Sequence, residues 1–117
     1  MRQKGAEVGR GLDREAVHRA FHEAVNMAPD ELEAWLETPE SRSVGFKPGG
    51  GESVGHASGR RIVNLLRSAR DALSDEDYRH MRKAIGFVRR HRAQEPANMV
   101  TSRWRYSLMN WGHDPMR

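Results

Sequence analysis

The stretch SDEDYRHMRKAIGFVRRHR, residues 74–92, predicts the long amphipathic helix around which a small all-α fold is built. Ser74 can cap its first turn, where three carboxylates meet the positive end of the helix dipole. The apolar residues recur at helical spacing, and the predicted buried stripe is Tyr78, Met81, Ala84, Ile85 and Val88. Gly86 interrupts this helix, although glycine costs about 1 kcal/mol relative to alanine in a helix interior.

Cations surround Gly86 on the side of the helix away from the buried stripe. At about 100° per residue they span an arc of roughly 120°, with Gly86 near its middle. The five cations are Arg79, Arg82, Lys83, Arg89 and Arg90. We call these cations, together with Gly86, the cationic arc. A glycine lets a DNA phosphate approach the backbone while cations hold it from both sides. The alternatives are a solvated charged face and a close helix crossing at Gly86.

Working outward, the sequence predicts a bundle of four to five short helices in one domain over residues 12–117, after a flexible tail over residues 1–11. The first helix is predicted from the cap Asp13 to about Asn26, and the second begins at Pro29.

The third and last helices are also placed by their caps. The third helix is expected to be capped by Ser58 and to comprise the stretch SGRRIVNLLRSAR. The last helix is expected to begin after Thr101 or Ser102 and to end at Gly112. The predicted core positions of these outer helices are Ala16, Val17, Ala20, Phe21, Ala24, Leu32, Trp35, Leu36, Ile62, Leu65, Leu66, Ala69, Trp104, Leu108 and Trp111.

Residues 38–57, TPESRSVGFKPGGGESVGHA, predict an ordered glycine-rich loop or small hairpin between the second and third helices. Thr38-Pro39 is expected to stop the second helix. The glycines are not a phosphate-binding loop of the Walker type, because no Gly-Lys-Ser/Thr follows them. The following GHASGRR would put Ser58 and Gly59 at a helix N-terminus, which is either an anion site or a plain helix start.

Charge is distributed unevenly along the chain, whose net charge is +4. Residues 1–57 carry 7 Lys/Arg and 10 Asp/Glu, a net of −3, and residues 58–117 carry 13 and 6, a net of +7. A basic half favours a polyanionic partner. There is no cysteine and no long apolar run, so we expect a cytoplasmic protein without a membrane partner, nucleoid-associated if it binds DNA.

A second row of candidate DNA contacts lies on the third helix. Arg60, Asn64 and Arg67 are spaced i, i+4, i+7, and such a row could enter a major groove, where arginine reads guanine and asparagine reads adenine. The alternative is an ordinary polar helix face.

Other chemistry is weakly supported. His18 and His22 are four residues apart, a spacing that can clamp a metal, but no third ligand is near, so we predict surface histidines and no metal site. No cofactor motif and no catalytic set can be assembled, which argues against an enzyme. A pocket joining Glu52, His56 and Ser58 would revive a ligand site or enzyme.

The C-terminal WRYSLMNWGHDP, residues 104–115, is predicted to pack over the bundle, because a small core needs its aromatic residues. The other interpretation is a stacking surface or a partner-binding helix.

Several of these stretches together resemble a known family, the bacterial domain of unknown function 3140. The matching motifs are GESVGHASGRRIVNLL, SDEDYRHMRKAIGFVRRHRAQ and SRWRYSLMNWGHDP, in that order, and the resemblance covers roughly residues 17–117. Because some members carry a DNA-binding label, the resemblance implies DNA binding without implying a mechanism.

The sequence therefore predicts a non-catalytic DNA-binding protein that contacts backbone phosphates with weak sequence preference. Its predicted contacts are Arg60, Asn64, Arg67, Arg79, Arg82, Lys83, Gly86, Arg89 and Arg90. The alternative is a protein–protein interaction module that uses the C-terminal Trp-rich segment or the SVG loop, in which the tripeptide occurs at 43–45 and 53–55.

Overall fold

The computed structural model describes residues 13–98 and 102–117, and in these ranges the fold is all-helical, with six α-helices and no β-strand. The helices are α1 (Arg14–Ala24), α2 (Pro29–Leu36), α3 (Pro39–Arg42), α4 (Val54–Arg67), α5 (Asp75–Arg92) and α6 (Arg103–Asn110). A short 3-10 turn, Arg70–Ala72, lies between α4 and α5. The all-α class is confirmed, but the predicted count of four to five helices was one too low.

The extra helix is α3, which lies where the loop was predicted to begin. Thr38-Pro39 does end α2, but Pro39 is also the first residue of α3, and the Thr38 side chain accepts a hydrogen bond from Ser41 N as its N-cap. Proline suits this position because its missing N–H would have no partner there. The predicted tail over residues 1–11 and the candidate cap Thr101 lie outside the described residues.

Helix α4 begins five residues earlier than predicted, which is a correction with a physical cause. Ser53, not Ser58, is the N-cap and accepts from His56 N at 3.0 Å. Gly55 and Gly59 are both buried in α4, although glycine is a poor helix former. At the other end, α4 stops at Arg67, so the predicted core residue Ala69 is outside the helix and exposed.

Helix α5 matches its prediction closely. Ser74 accepts from Asp77 N, Asp77 in turn accepts from Ser74 N, and the two together form a capping box. All five residues of the predicted stripe are buried, with Met81 and Ala84 fully inaccessible. Helix α1 packs along α5 and α2 packs along α4, so α5 turns its opposite side outward.

Helix α6 closes the core, as the sequence predicted for the C-terminal aromatic segment. Trp104, Leu108 and Trp111 are all buried. Asn110 Oδ1 accepts from Trp35 Nε1 at 2.7 Å and from Ser41 Oγ at 2.5 Å, and Asn110 Nδ2 donates to Ser41 O at 2.9 Å. Asn110 therefore joins α2, α3 and α6 with its polar groups satisfied.

Candidate nucleic-acid interface

The cationic arc is exposed along α5. All five of its cations are exposed and Gly86 is half-buried. Among the described residues, a Cβ added to Gly86 would meet only the flexible guanidinium of Arg90, 3.0 Å away. No other described segment crosses the helix here, so the hypothesis of a close helix crossing at Gly86 was wrong.

The arc cations also differ from most other arginines in their partners. Within residues 13–98 and 102–117, no carboxylate lies within ion-pair distance of any arc cation, and none has a hydrogen-bond partner there. The arginines that do pair with a carboxylate are Arg14, Arg42, Arg60, Arg61, Arg67, Arg70, Arg105 and Arg117. The positive charge of the arc is thus free to attract an anion.

Shallow grooves flank the arc. Arg82, Gly86 and Arg89 line a groove of about 310 Å³ whose far wall is Ala16 and Ala20 of α1. A smaller groove places Arg79 and Lys83 beside Glu76. Glu76 is exposed and is not paired with either cation, so it reduces the local positive potential only partly.

The predicted row on α4 has a different environment. Arg60 donates to both carboxylate oxygens of Glu52, at 2.8 and 2.6 Å. Arg67 donates to Asp30 and Glu33 of α2. Asn64 is exposed, and its carbonyl accepts from Ser68. A phosphate would have to displace these carboxylates before it could bind Arg60 or Arg67.

A cleft of about 670 Å³ opens beside α4 and joins Glu52 with His56, but it does not include Ser58. His56 is buried, with Nε2 2.7 Å from Leu36 O and Nδ1 2.5 Å from Glu52 Oε2. Hydrogen bonds from Arg60 and then from His56 lower the pKa of Glu52 to about 2. Both His56 nitrogens therefore have an acceptor within hydrogen-bond distance inside the protein.

Ser58 lies inside α4 instead of at its start, so both alternatives for this position, an anion site and a plain helix start, were wrong. Its hydroxyl shares a 2.8 Å hydrogen bond with Nε2 of His80 on α5. Burial, followed by the nearby charges of Arg61 and Lys83, lowers the pKa of His80 to about 4. This pair is a polar link between the two helices, and Ser58 is too buried to meet a substrate.

The two histidines of α1 lie side by side, with the His18 and His22 ring centroids 4.4 Å apart. Burial is the main cause that lowers the pKa of both rings. Among the described residues, no group of three or more metal-ligating side chains comes together.

The structure also reveals a site that the sequence did not. A cleft of about 360 Å³ on the other flank of α5 is lined by Phe46, Phe87 and Trp111, together with the arc residues Lys83 and Arg90. Phe46 is 72% exposed. In the sequence, the only indication of this cleft is Phe46 itself, an isolated aromatic residue in a polar loop. We call this the aromatic cleft.

Comparison with known proteins places the chain in a family. The family model described as a protein of unknown function, DUF3140, matches residues 20–109, which is most of the chain. The chain belongs to this family, as its motifs suggested. No curated protein and no solved structure matches it. In the part of the chain that is described, no helix has the length and apolar character needed to cross a membrane.

Proposed function

We propose that this member of the DUF3140 family binds DNA non-catalytically, through contacts between the cationic arc of α5 and backbone phosphates. The proposal depends on a difference between the arc cations and the other arginines in their ion pairs with carboxylates. Most other described arginines already have a carboxylate partner, whereas the arc cations are exposed and have none. Concentrated, unneutralised guanidinium groups are the usual ligands of DNA phosphates.

The open position of Gly86 supports the same proposal. A side chain at this place would hold a strand away from the helix, and the absence of one allows a closer approach. Arg82 and Arg89 line the groove on one side of Gly86, while Lys83 and Arg90 lie towards the aromatic cleft on the other. Such contacts carry little sequence information, so weak sequence preference belongs to the proposal, as does a cytoplasmic, nucleoid-associated location.

The test is a titration of random duplex DNA at several salt concentrations, with two matched double variants. Arg82→Ala with Arg89→Ala removes two unpaired arc cations. Arg60→Ala with Arg67→Ala removes the same charge from paired positions on α4. We expect the arc variant to lose affinity about tenfold or more at low salt for all sequences alike, because each phosphate contact adds about −0.9 to the salt slope.

The α4 variant should lose much less, because its arginines are already held by Glu52, Asp30 and Glu33. Circular dichroism melts of both variants serve as the folding control. Unchanged binding by the arc variant would contradict the proposal. Equal losses in the two variants would show that only net charge matters and that the arc is not a site.

A protein-interaction module is the second candidate, and exposed Phe46 in the SVG loop is the observation that favours it. An acidic partner could meet the same cations. Capture of one specific protein by the immobilised chain from nuclease-treated lysate, with loss of that capture in Phe46→Ala, would favour this function over DNA binding.

A further inference from the structure

The aromatic cleft is continuous with the cationic arc. Lys83 and Arg90 belong to both, because they lie on the flank of α5 that faces Trp111 and Phe46. A strand held by the arc would therefore pass along the opening of the cleft. Its volume of about 360 Å³ falls within the roughly 300–1,000 Å³ of ordinary small-ligand pockets.

The walls of the cleft are planar rings held in a fixed arrangement. Phe87 stacks on Trp111, with centroids 4.6 Å apart and planes inclined by 15°. Phe87 also stacks on His91 at 4.9 Å and 21°. Burial lowers the pKa of His91 and so favours its uncharged ring.

Phe46 is held at this cleft by the backbone around it. Val54 N donates to Phe46 O at 2.8 Å, which ties the loop to the start of α4. Gly45 has a φ of +101°, and a Cβ there would lie 2.9 Å from the Ser53 side chain, so only glycine fits. The backbone thus holds Phe46 beside the cleft, where its ring is 72% exposed.

We infer that the aromatic cleft takes an unpaired nucleobase of a strand whose phosphates lie on the cationic arc. The inference deepens the proposed function and rests on it. The exposed ring of Phe46 offers a π face on which a base can stack, above the apolar wall formed by Phe87 and Trp111. Lys83 and Arg90 at the same cleft attract the phosphates of the strand. Bases of an intact duplex are stacked within it, so the ligand is single-stranded or locally opened nucleic acid.

Two single strands of about 12 nucleotides with equal charge test this inference. One is oligo(dT), and the other has abasic sugars in place of every base. Because base stacking on an aromatic side chain is worth about 1–3 kcal/mol, oligo(dT) should bind roughly fivefold or more tightly than the abasic strand. Both affinities are measured by fluorescence anisotropy at low salt.

Matched variants locate the effect. Phe46→Ala should remove much of the advantage of oligo(dT) while leaving duplex affinity and the melting temperature unchanged, because Phe46 is exposed. Phe46→Tyr should preserve the advantage, since the ring remains. Met116→Ala, at another exposed apolar side chain, 45% accessible and away from the cleft, should change nothing.

Equal affinity for the two strands, or an unchanged preference in Phe46→Ala, would overturn the inference. The two single strands and the duplex could bind with equal affinity, while Arg82→Ala with Arg89→Ala still lowers all three affinities. In that case only the base-binding inference is contradicted, and the proposed phosphate binding by the arc is retained. If that double variant binds all nucleic acids normally, the proposed function itself fails. An acidic peptide that needs Phe46 to bind, while oligo(dT) does not, would also overturn the inference.

Discussion

The two longest helices, α4 and α5, both carry arginines and an interior glycine, but they use these residues in opposite ways. On α4, Gly59 is buried, and a Cβ there would lie 2.8 Å from Leu36 Cδ2 and closer still to the carbonyl oxygen of Asn110. On α5, a Cβ at Gly86 would meet no described atom within 4 Å apart from the guanidinium of Arg90. Gly59 allows close packing of α4 against α2 and α6, whereas Gly86 leaves open space at the surface of α5.

The arginines follow the same division. Arg60 and Arg67 on α4 hold carboxylates from the loop before α4 and from α2. The arc cations on α5 hold none in the described ranges. The comparison teaches that a glycine among cations indicates a binding surface only when neither the missing side chain nor the charge is already matched within the fold.

The largest expected effect comes from Gly59→Ala, which tests the packed side of the comparison. The added methyl would collide with the α6 backbone, which cannot move as a flexible side chain does. We expect a loss of about 3 kcal/mol in the free energy of unfolding, measured by urea denaturation. Gly49→Ala is the control, since nothing lies within 4 Å of that Cβ position. Equal stability of the two variants would contradict the close crossing.

A pH effect should arise where the two helices meet, at Ser58 and His80. The pKa of His80 is about 4 in the folded protein and about 6.5 when unfolded, so between these values the unfolded chain binds more protons. Stability should therefore fall as pH falls from about 6.5 to 4.

We expect His80→Gln to reduce that fall by about 1–3 kcal/mol, after allowance for solvent screening. Unfolding is measured by urea at pH 7 and pH 4.5. Asn64→Gln, at an exposed residue of α4 that does not titrate, is the control. Wild-type and His80→Gln curves that run parallel between these pH values would show that the buried pair does not titrate in this way.

Gly86→Glu sharpens the open side of the comparison. A carboxylate at the centre of the arc should repel phosphate and pair with the nearby cations, so duplex affinity should fall about tenfold or more. Gly86→Gln, of similar size but neutral, should cost less affinity. Helix stability should not fall in either variant, because both replacements are better helix formers than glycine. Parallel losses of affinity and melting temperature would refute the open position.

The smallest effect is expected for Gly86→Ala. In the described part of the chain, the only neighbour of the added methyl is the Arg90 guanidinium, which can rotate away. The free energy of unfolding should therefore be about 1 kcal/mol higher than in the wild type, and the melting temperature should rise by a few degrees. A lower melting temperature would mean that Gly86 is not open, and would remove the contrast with Gly59.

Local signals predicted α5 and α6 well because their information lies in the sequence itself. The capping box at Ser74, the cap Ser102 and the stripe around Met81 all act over a few residues. The start of α4 could not be placed in this way, because Gly55 and Gly59 are poor helix formers whose helical state is stabilised by burial against α6, a contact that no local pattern encodes.

The candidate site was predictable only in part. Helical spacing alone placed the arc cations on one exposed face. The carboxylate partners of Arg67 are more than thirty positions away, on α2, so the sequence could not separate paired from unpaired arginines. The aromatic cleft joins a loop residue, Phe46, with α5 and α6, and that juxtaposition arises only from the tertiary fold.

The hydrogen bonds of the Asn110 side chain, which join α2, α3 and α6, affect how fast the protein folds. These hydrogen bonds span 69 and 75 positions of the chain, and Asn26 donates to Asp114 O across 88. Contacts between such distant positions raise the contact order, so we expect slower folding than in bundles dominated by local pairings. Until α6 docks, the apolar faces of α2 and α4 lack their cover, and the partly folded chain is at its most prone to aggregate.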